Sequence, residues 1–311
     1  MRHDNLIFIC GALRSGSTLT HVILDNHHEI KNPGEFDFLF DQISDGGVFP
    51  DVKKYQEWLS LHRIFQSKCL SIDSSLDYPE LIDSFIAQLT QVSCVLALNI
   101  HRHFDLIPYL FPKAKLIHLI RDPRDVARSS IGMGWAGNVY YGVDHWIETE
   151  KSWKRLQKKI APEQFLELRF EELILSPEII LQRICEFIGV PYSGSMLNYA
   201  DNSTYSKPDP SLVYQWKKTL SKREIQYVEL KAHDLMGSLG YILSEYPLIT
   251  LGFLERAKLK ISNKLFKLKF SIKRHGLMLV LKHRLSRLFK LDSMNKSATL
   301  KMNEINKLYL K

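Results

Sequence analysis

Apolar residues along the first 170 positions come in two patterns, and they alternate. Short continuous runs (residues 6–10, 94–99, 115–120 and 165–169) predict buried strands, and the intervening stretches, with apolar residues every third or fourth position, predict helices. Residues 51–90 read as a mixed helical region with a short strand near Cys69–Ile72. Strands alternating with helices argue an α/β fold with a mainly parallel central sheet covered on both sides by helices. In such sheets ligands bind beyond the carboxyl ends of the strands. Residues 1–250 form one domain on this reading, and residues 251–311 a helical tail.

Two strand-to-helix turns carry chemistry. In residues 6–24, LIFICGALRSGSTLTHVIL, Gly11 and Gly16 allow the backbone to curl around an anion, and Ser15, Ser17 and Thr18 offer hydroxyls. A helix starting near Ser17 points its positive end into the same turn. The Gly11 to Gly16 spacing is P-loop-like, but Ser17 stands where a nucleotide-triphosphate loop requires lysine, and Arg14 is the loop's cation. That weakens an ATP-using kinase reading. In residues 115–133, KLIHLIRDPRDVARSSIGM, Asp122-Pro123 breaks the run and Asp125 onward reads as helix. Arg121 at the strand end and Ser129 in the following helix can face one anion, unless Arg121 and Asp122 form only a surface ion pair.

Together these segments resemble the sulfotransferase superfamily, over roughly residues 5–245. The parts are Arg14-Ser15-Gly16-Ser17-Thr18, Arg121-Asp122-Pro123-Arg124-Asp125 through Ser129, Arg169-Phe170-Glu171-Glu172-Leu173, and Phe187-Ile188-Gly189-Val190-Pro191. The loop matches the branch with R-S-G-[ST]-T, which includes bacterial, tyrosylprotein and carbohydrate sulfotransferases. The resemblance implies a P-loop-like three-layer fold and 3′-phosphoadenosine 5′-phosphosulfate (PAPS) as sulfuryl donor, released as PAP, with no metal. It implies that the first loop holds the 5′-phosphosulfate and that Arg121 and Ser129 hold the 3′-phosphate. Residues 200–216 resemble the nucleotide lid, which would place Ser203, Thr204 and Lys207 over the cofactor; a solvated connection is the alternative. Phe170 replaces a tyrosine of some relatives, and Gln215 precedes Trp216 where some have lysine.

The turn Lys31-Asn32-Pro33-Gly34 delivers Glu35 close to the first loop, and the resemblance makes Glu35 the base toward the acceptor hydroxyl, with Asp37 as substitute. A carboxylate of ordinary acidity, about 4.3, is a weak base for this work unless burial raises it or proton transfer is late. Relatives carry a K-[ST]-P or K-D-P triplet after the run 94–99, where this chain has Asn99-Ile100-His101. Sulfuryl transfer needs donors on the bridging oxygen that gains charge, so the missing lysine leaves that work to Arg14, with His101 or Arg102 as further donors. Residues 132–146, rich in glycine and aromatics, form an acceptor-side loop or pack under the lid.

Charge and cysteine usage complete the picture. Of 42 Lys and Arg against 34 Asp and Glu, residues 251–311 hold 16 cations and the acids Glu255, Asp292 and Glu304. From Leu254 to Phe289 apolar residues recur at helical spacing among lysines, which suits either contact with an anionic membrane surface or packing on the domain or a partner. No nucleic-acid motif accompanies the charge. The four cysteines, Cys10, Cys69, Cys94 and Cys185, lack metal or redox spacing and read as reduced and buried. No run of 18 apolar residues appears and the first strand follows Met1 closely, so the expected location is cytoplasmic, or peripheral at a membrane. The expected acceptor is a hydroxyl on a carbohydrate or lipid-linked glycan. A tyrosylprotein or small-metabolite enzyme, and a catalytically weakened PAP-binding protein, stay open, as does the oligomeric state.

Overall fold

The computed structural model describes residues 5–90, 94–201 and 208–309. Five strands, β1 (Leu6–Cys10), β2 (Ile30–Lys31), β3 (Val95–Ile100), β4 (Lys115–Ile120) and β5 (Phe165–Arg169), form one sheet in the order β2-β3-β1-β4-β5. Every pairing is parallel, with Phe8 opposite Leu98 on one side and Leu116 on the other. Alternation along β1 divides the core. Leu6, Phe8 and Cys10 join one buried cluster with Phe38, Phe85 and Trp153; Ile7 and Ile9 face the other with Leu19, Ile23, Ile184 and Leu168. Burial on both faces is why these strands read as continuous apolar runs.

Three expectations are corrected. Residues 69–72 form no strand: Cys69 has a left-handed backbone (φ 54), and both backbone polar groups of Ser71 bond the Gln88 side chain. The first cover instead includes the helices Val52–Leu59, Arg63–Ser67 and Tyr78–Leu89, and the sheet edge is β2, whose two residues are too few to leave a pattern. The tail is not one helix from 254 to 289. It breaks at Gly276 (φ 82) into Phe253–His275 and Leu277–Leu288, and a third helix, Asp292–Lys307, packs back on them. Cys10 and Cys185 are buried, but Cys69 is exposed and Cys94 half-buried; all four are free thiols.

The first tail helix docks on the domain through a face other than its apolar stripe. Leu259 is buried, Phe270 packs on Gly134, and Asn263 Oδ1 accepts from the Gly137 amide at 2.7 Å. Asn138 donates to Leu259 O and Ser262 Oγ, and Arg223 grips Glu255. Leu254, Ile261 and Leu265 stay exposed. Among the described residues no helix is long and apolar enough to cross a membrane.

A buried ionic network fixes the turn after β4. Arg124 donates from Nε and Nη2 to both oxygens of Asp122 (2.9 and 2.7 Å) and from Nη1 to Glu229 (2.8 Å), and its guanidinium lies 3.6 Å from the Trp216 ring centroid. Glu229 also accepts from the amide and hydroxyl of Ser244, and the Asp122 amide donates to Glu171. All three charged groups are buried, so removing the arginine leaves two uncompensated carboxylates. Arg124→Met is expected to lower stability in urea unfolding by about 3–5 kcal/mol; a loss under about 1 kcal/mol would show that the network does not hold this turn.

Candidate active site

The turn after β1 sits where the sheet's carboxyl ends converge. Gly11 lies against β4: a Cβ there would stand 2.6 Å from Leu119 O. Gly16 has φ 96, and a Cβ would stand 2.2 Å from the Phe170 ring, so both glycines are required by close approach. Between them Arg14 takes a left-handed backbone (φ 73), and Gly16 caps the helix Ser17–Asp25. The amides of that helix's first turn have no partner within the helix and open toward the cradle.

Both sequence-identified loops meet here. Arg14 Nε donates to Ser129 Oγ at 2.8 Å, and Arg121 Nη1 donates to Arg14 O at 3.1 Å. Arg121 stacks on Phe170 at 4.3 Å and reaches Leu212 O at 3.1 Å, so it belongs to the cradle rather than to a surface pair with Asp122. Burial lowers the Arg121 guanidinium from its ordinary value, opposed by Asp125 and Glu171. Among the described residues, Ser15 Oγ and Arg121 Nε are buried in this cradle without a hydrogen-bond partner. Cations, free hydroxyls and helix amides at one point are a donor set for phosphate or sulfate oxygens. Ser203, Thr204 and Lys207 lie outside the described residues; of the proposed lid, Leu212 meets Arg121, and Trp216 is buried with its amide donating to Asp125 at 2.7 Å.

Glu35 reaches the site through the backbone. It forms a parallel bridge with Asn99, with the Asn99 amide donating to Gly34 O and the Phe36 amide to Asn99 O. Its carboxylate is 41% exposed and lies 3.7 Å from His101 Nε2. The buried His101 ring contacts Gly11 O through Nδ1 at 2.8 Å; a carbonyl only accepts, so Nδ1 carries the proton and Nε2 faces Glu35 without another partner. Asn99 is buried and donates to Ser17 O while accepting from Asn32, which ties the cradle helix to β3.

Three expectations change here. Asp37 lines the same cavity as Glu35 but is buried, and its Oδ1 accepts the amides of His101 (2.7 Å) and Arg102 (3.2 Å). Burial raises its carboxyl above the usual range, opposed by His101 and Arg102. Arg102 is no free donor, because it grips both oxygens of Asp41. In the aromatic segment, Trp135 is partly exposed, but Trp146 is core and donates to Arg121 O. Sequence reasoning missed Lys68, whose Nζ donates to Pro33 O and lies over the Phe36 ring, bracing the turn that delivers Glu35. Burial lowers the Lys68 ammonium, with Glu35 opposing. Its only sequence signal was a lone lysine between helices.

A cavity of about 790 Å³ opens beside the cradle. Leu13, Arg14, Ser17 and Thr18 form one end with Glu35; the helical cover contributes Leu61, His62, Arg63 and Ile64. Trp135 forms part of its wall, and the tail supplies Arg274 and Asn303 from its helices and Tyr309 from the turn after the last one. A phosphate-sized anion at Arg14 and a hydroxyl near Glu35 would thus share one space.

Asp125, behind Arg121, carries a titration signature. Burial raises its carboxyl from 3.8 to about 6, opposed first by Arg121. The folded state therefore holds this proton more tightly than the unfolded chain, and the resulting stability, full below about pH 4, is lost as pH rises through about 6. Asp125→Asn keeps an acceptor for the Trp216 amide. It is expected to flatten that decline and to be more stable than the parent at pH 7 by about 2–3 kcal/mol. Parallel stability curves for the two proteins between pH 4 and 6 would refute it.

Residues 6–194 match the family model described as "Sulfotransferase family". The chain is 27% identical over 213 residues to a putative protein-tyrosine sulfotransferase of Caenorhabditis briggsae, covering 63% of this chain and 69% of that one. It is 30% identical over 143 residues to the omega-hydroxy-beta-dihydromenaquinone-9 sulfotransferase Stf3 of Mycobacterium tuberculosis, covering 40% and 37%. An uncharacterized Aquifex aeolicus protein is 28% identical over 211 residues, 62% of this chain but only 26% of that protein's length. Among solved structures, the sulfotransferase domain of the curacin biosynthetic pathway superposes with a TM-score of 0.56 at 20% identity, over 76% of this chain and 98% of that one. That likeness is one of fold.

Proposed function

Because the chain belongs to the sulfotransferase family, we propose that it transfers the sulfuryl group of PAPS to a hydroxyl acceptor by in-line displacement. The observation that carries this is the joining of the two loops, in which Arg14 bonds Ser129 and Arg121 bonds Arg14 beside a buried, unpartnered Ser15 hydroxyl. Bound PAPS would supply an activated sulfuryl group whose leaving part is PAP. Arg14, Ser15, Gly16, Ser17 and Thr18 would hold its 5′-phosphosulfate end, and Arg121 and Ser129 its 3′-phosphate. Ser203, Thr204 and Lys207 are proposed to close over it.

Proton movement falls to this chain's own side chains. Glu35 lines the cavity and takes the proton of the attacking hydroxyl; His101, with Nδ1 anchored on Gly11 O, keeps Nε2 3.7 Å from that carboxylate and so helps position it. Arg14 faces the oxygen that gains charge as the S–O bond breaks, which supplies the electrostatic work left open by Asn99. The acceptor is proposed to be a carbohydrate or lipid-linked glycan, a reading supported by the partly exposed Trp135 in the cavity wall, since indole faces stack on sugar rings. The Caenorhabditis relative supports a second reading, a protein-tyrosine acceptor. Cations and exposed leucines on Leu277–Leu288 support peripheral contact with an anionic membrane from a cytoplasmic location.

Glu35→Gln is expected to abolish transfer from labelled PAPS while leaving PAP affinity unchanged within about threefold; retained turnover would remove Glu35 from the mechanism. Arg121→Ala, measured by calorimetry, should weaken PAP binding by about 2–3 kcal/mol and spare the nucleotide lacking the 3′-phosphate. Equal losses for both nucleotides would contradict its assignment to the 3′-phosphate.

A further inference from the structure

The cavity beside the cradle is lined by four arginines and by the carboxylates of Glu35 and Asp37. Of its four arginines, Arg14 belongs to the cradle and Arg102 is gripped by Asp41. Arg63 and Arg274 remain. Both are half-buried, and neither has a carboxylate partner among the described residues. Arg274 is also aimed. Its guanidinium lies 4.6 Å from the Phe270 ring and 4.9 Å from the Tyr309 ring, so two aromatics from different parts of the tail hold it in position. Its place in the last turn of Phe253–His275 suits the helix dipole, but that attraction needs charge alone and no such orientation. An arginine drawn partly out of water without a counter-charge is costly unless something supplies the anion.

We propose that Arg63 and Arg274 form an anion subsite for the acceptor, so that this enzyme sulfates hydroxyl compounds already carrying a phosphate or carboxylate, anionic sugars being the class that fits. The proposal rests on the sulfotransferase reading and deepens it. One wall of the subsite comes from Arg274, Asn303 and Tyr309, beyond the residues 6–194 that match the family. Asn303 secures that wall by donating to Leu61 O at 2.9 Å, two residues before Arg63. Acceptor choice is thereby assigned to the tail helices together with the Arg63–Ser67 helix, while the cradle serves the donor. Guanidinium forks suit either oxyanion, bidentate on a carboxylate or a phosphate.

The test is calorimetric titration of the full chain saturated with PAP, which blocks the nucleotide phosphate sites, using glucose 6-phosphate, glucuronate and glucose as probes. Both anionic sugars are expected to bind at least tenfold more tightly than glucose. Arg63→Gln and Arg274→Gln should each bring that preference within about threefold of unity with PAP affinity unchanged, and Arg274→Lys should restore part of it. Equal binding of charged and neutral sugars by the parent overturns the proposal. So does an anion preference that survives in both glutamine variants, which would place the anion at Arg14 instead. A failure of the underlying reading shows separately, as no binding in the initial PAP titration; a sugar preference lost in the two variants would then still uphold the anion subsite.

Discussion

Everything near the site depends on how closely the chain passes itself at the carboxyl ends of β1 and β4. Gly11 has no room for a side chain against Leu119 O, and Gly16 none against Phe170. Phe170 meets Gly16 and also carries Arg121 at 4.3 Å, and Arg14 from the same turn reaches Ser129 on the helix after β4. Arg14, Ser15, Arg121 and Ser129 are thus brought together by backbone packing, and the two cations are positioned by contacts within the chain itself. Preorganisation of this kind is the usual source of strong charge stabilisation in a water-poor site.

The second constraint is the buried ionic network behind that surface. Arg124 sits one side chain removed from the cradle and is occupied by Asp122, Glu229 and Trp216. It locks the turn from which Arg121 projects, and through Trp216 and Asp125 it fixes the described end of residues 208–216. The adjacent arginines 121 and 124 therefore do opposite work: one stays available to a ligand, the other is consumed by the fold.

Much of this was legible in the chain. Long apolar strands, the two glycine- and arginine-bearing turns and their order are local signals, and β4 and β5 fall where the runs predict. Legibility failed wherever a partner distant in sequence decides the outcome. Nothing near Asp37 shows that two amides from beyond β3 occupy it, and nothing near Ser71 shows that Gln88 will satisfy its backbone. The tail was read from its apolar stripe, yet it docks through Asn263, Phe266 and Phe270 on a loop whose glycines leave space for them. Lys68 and Arg63 looked like ordinary surface cations until the tertiary structure put them beside a turn and a cavity.

The fold-back at Gly276 also sets an order of events. Every strand lies before residue 200 and the network that locks the Arg121 turn ends at Ser244, whereas Arg274, Asn303 and Tyr309 are made 30 to 65 residues after that. At ribosomal elongation rates of about 5–20 residues per second, that gap lasts several seconds. During synthesis the sheet and its glycine-bearing turn can therefore form while the neighbouring cavity still lacks one wall, so the completeness of that cavity reports the arrival of the tail.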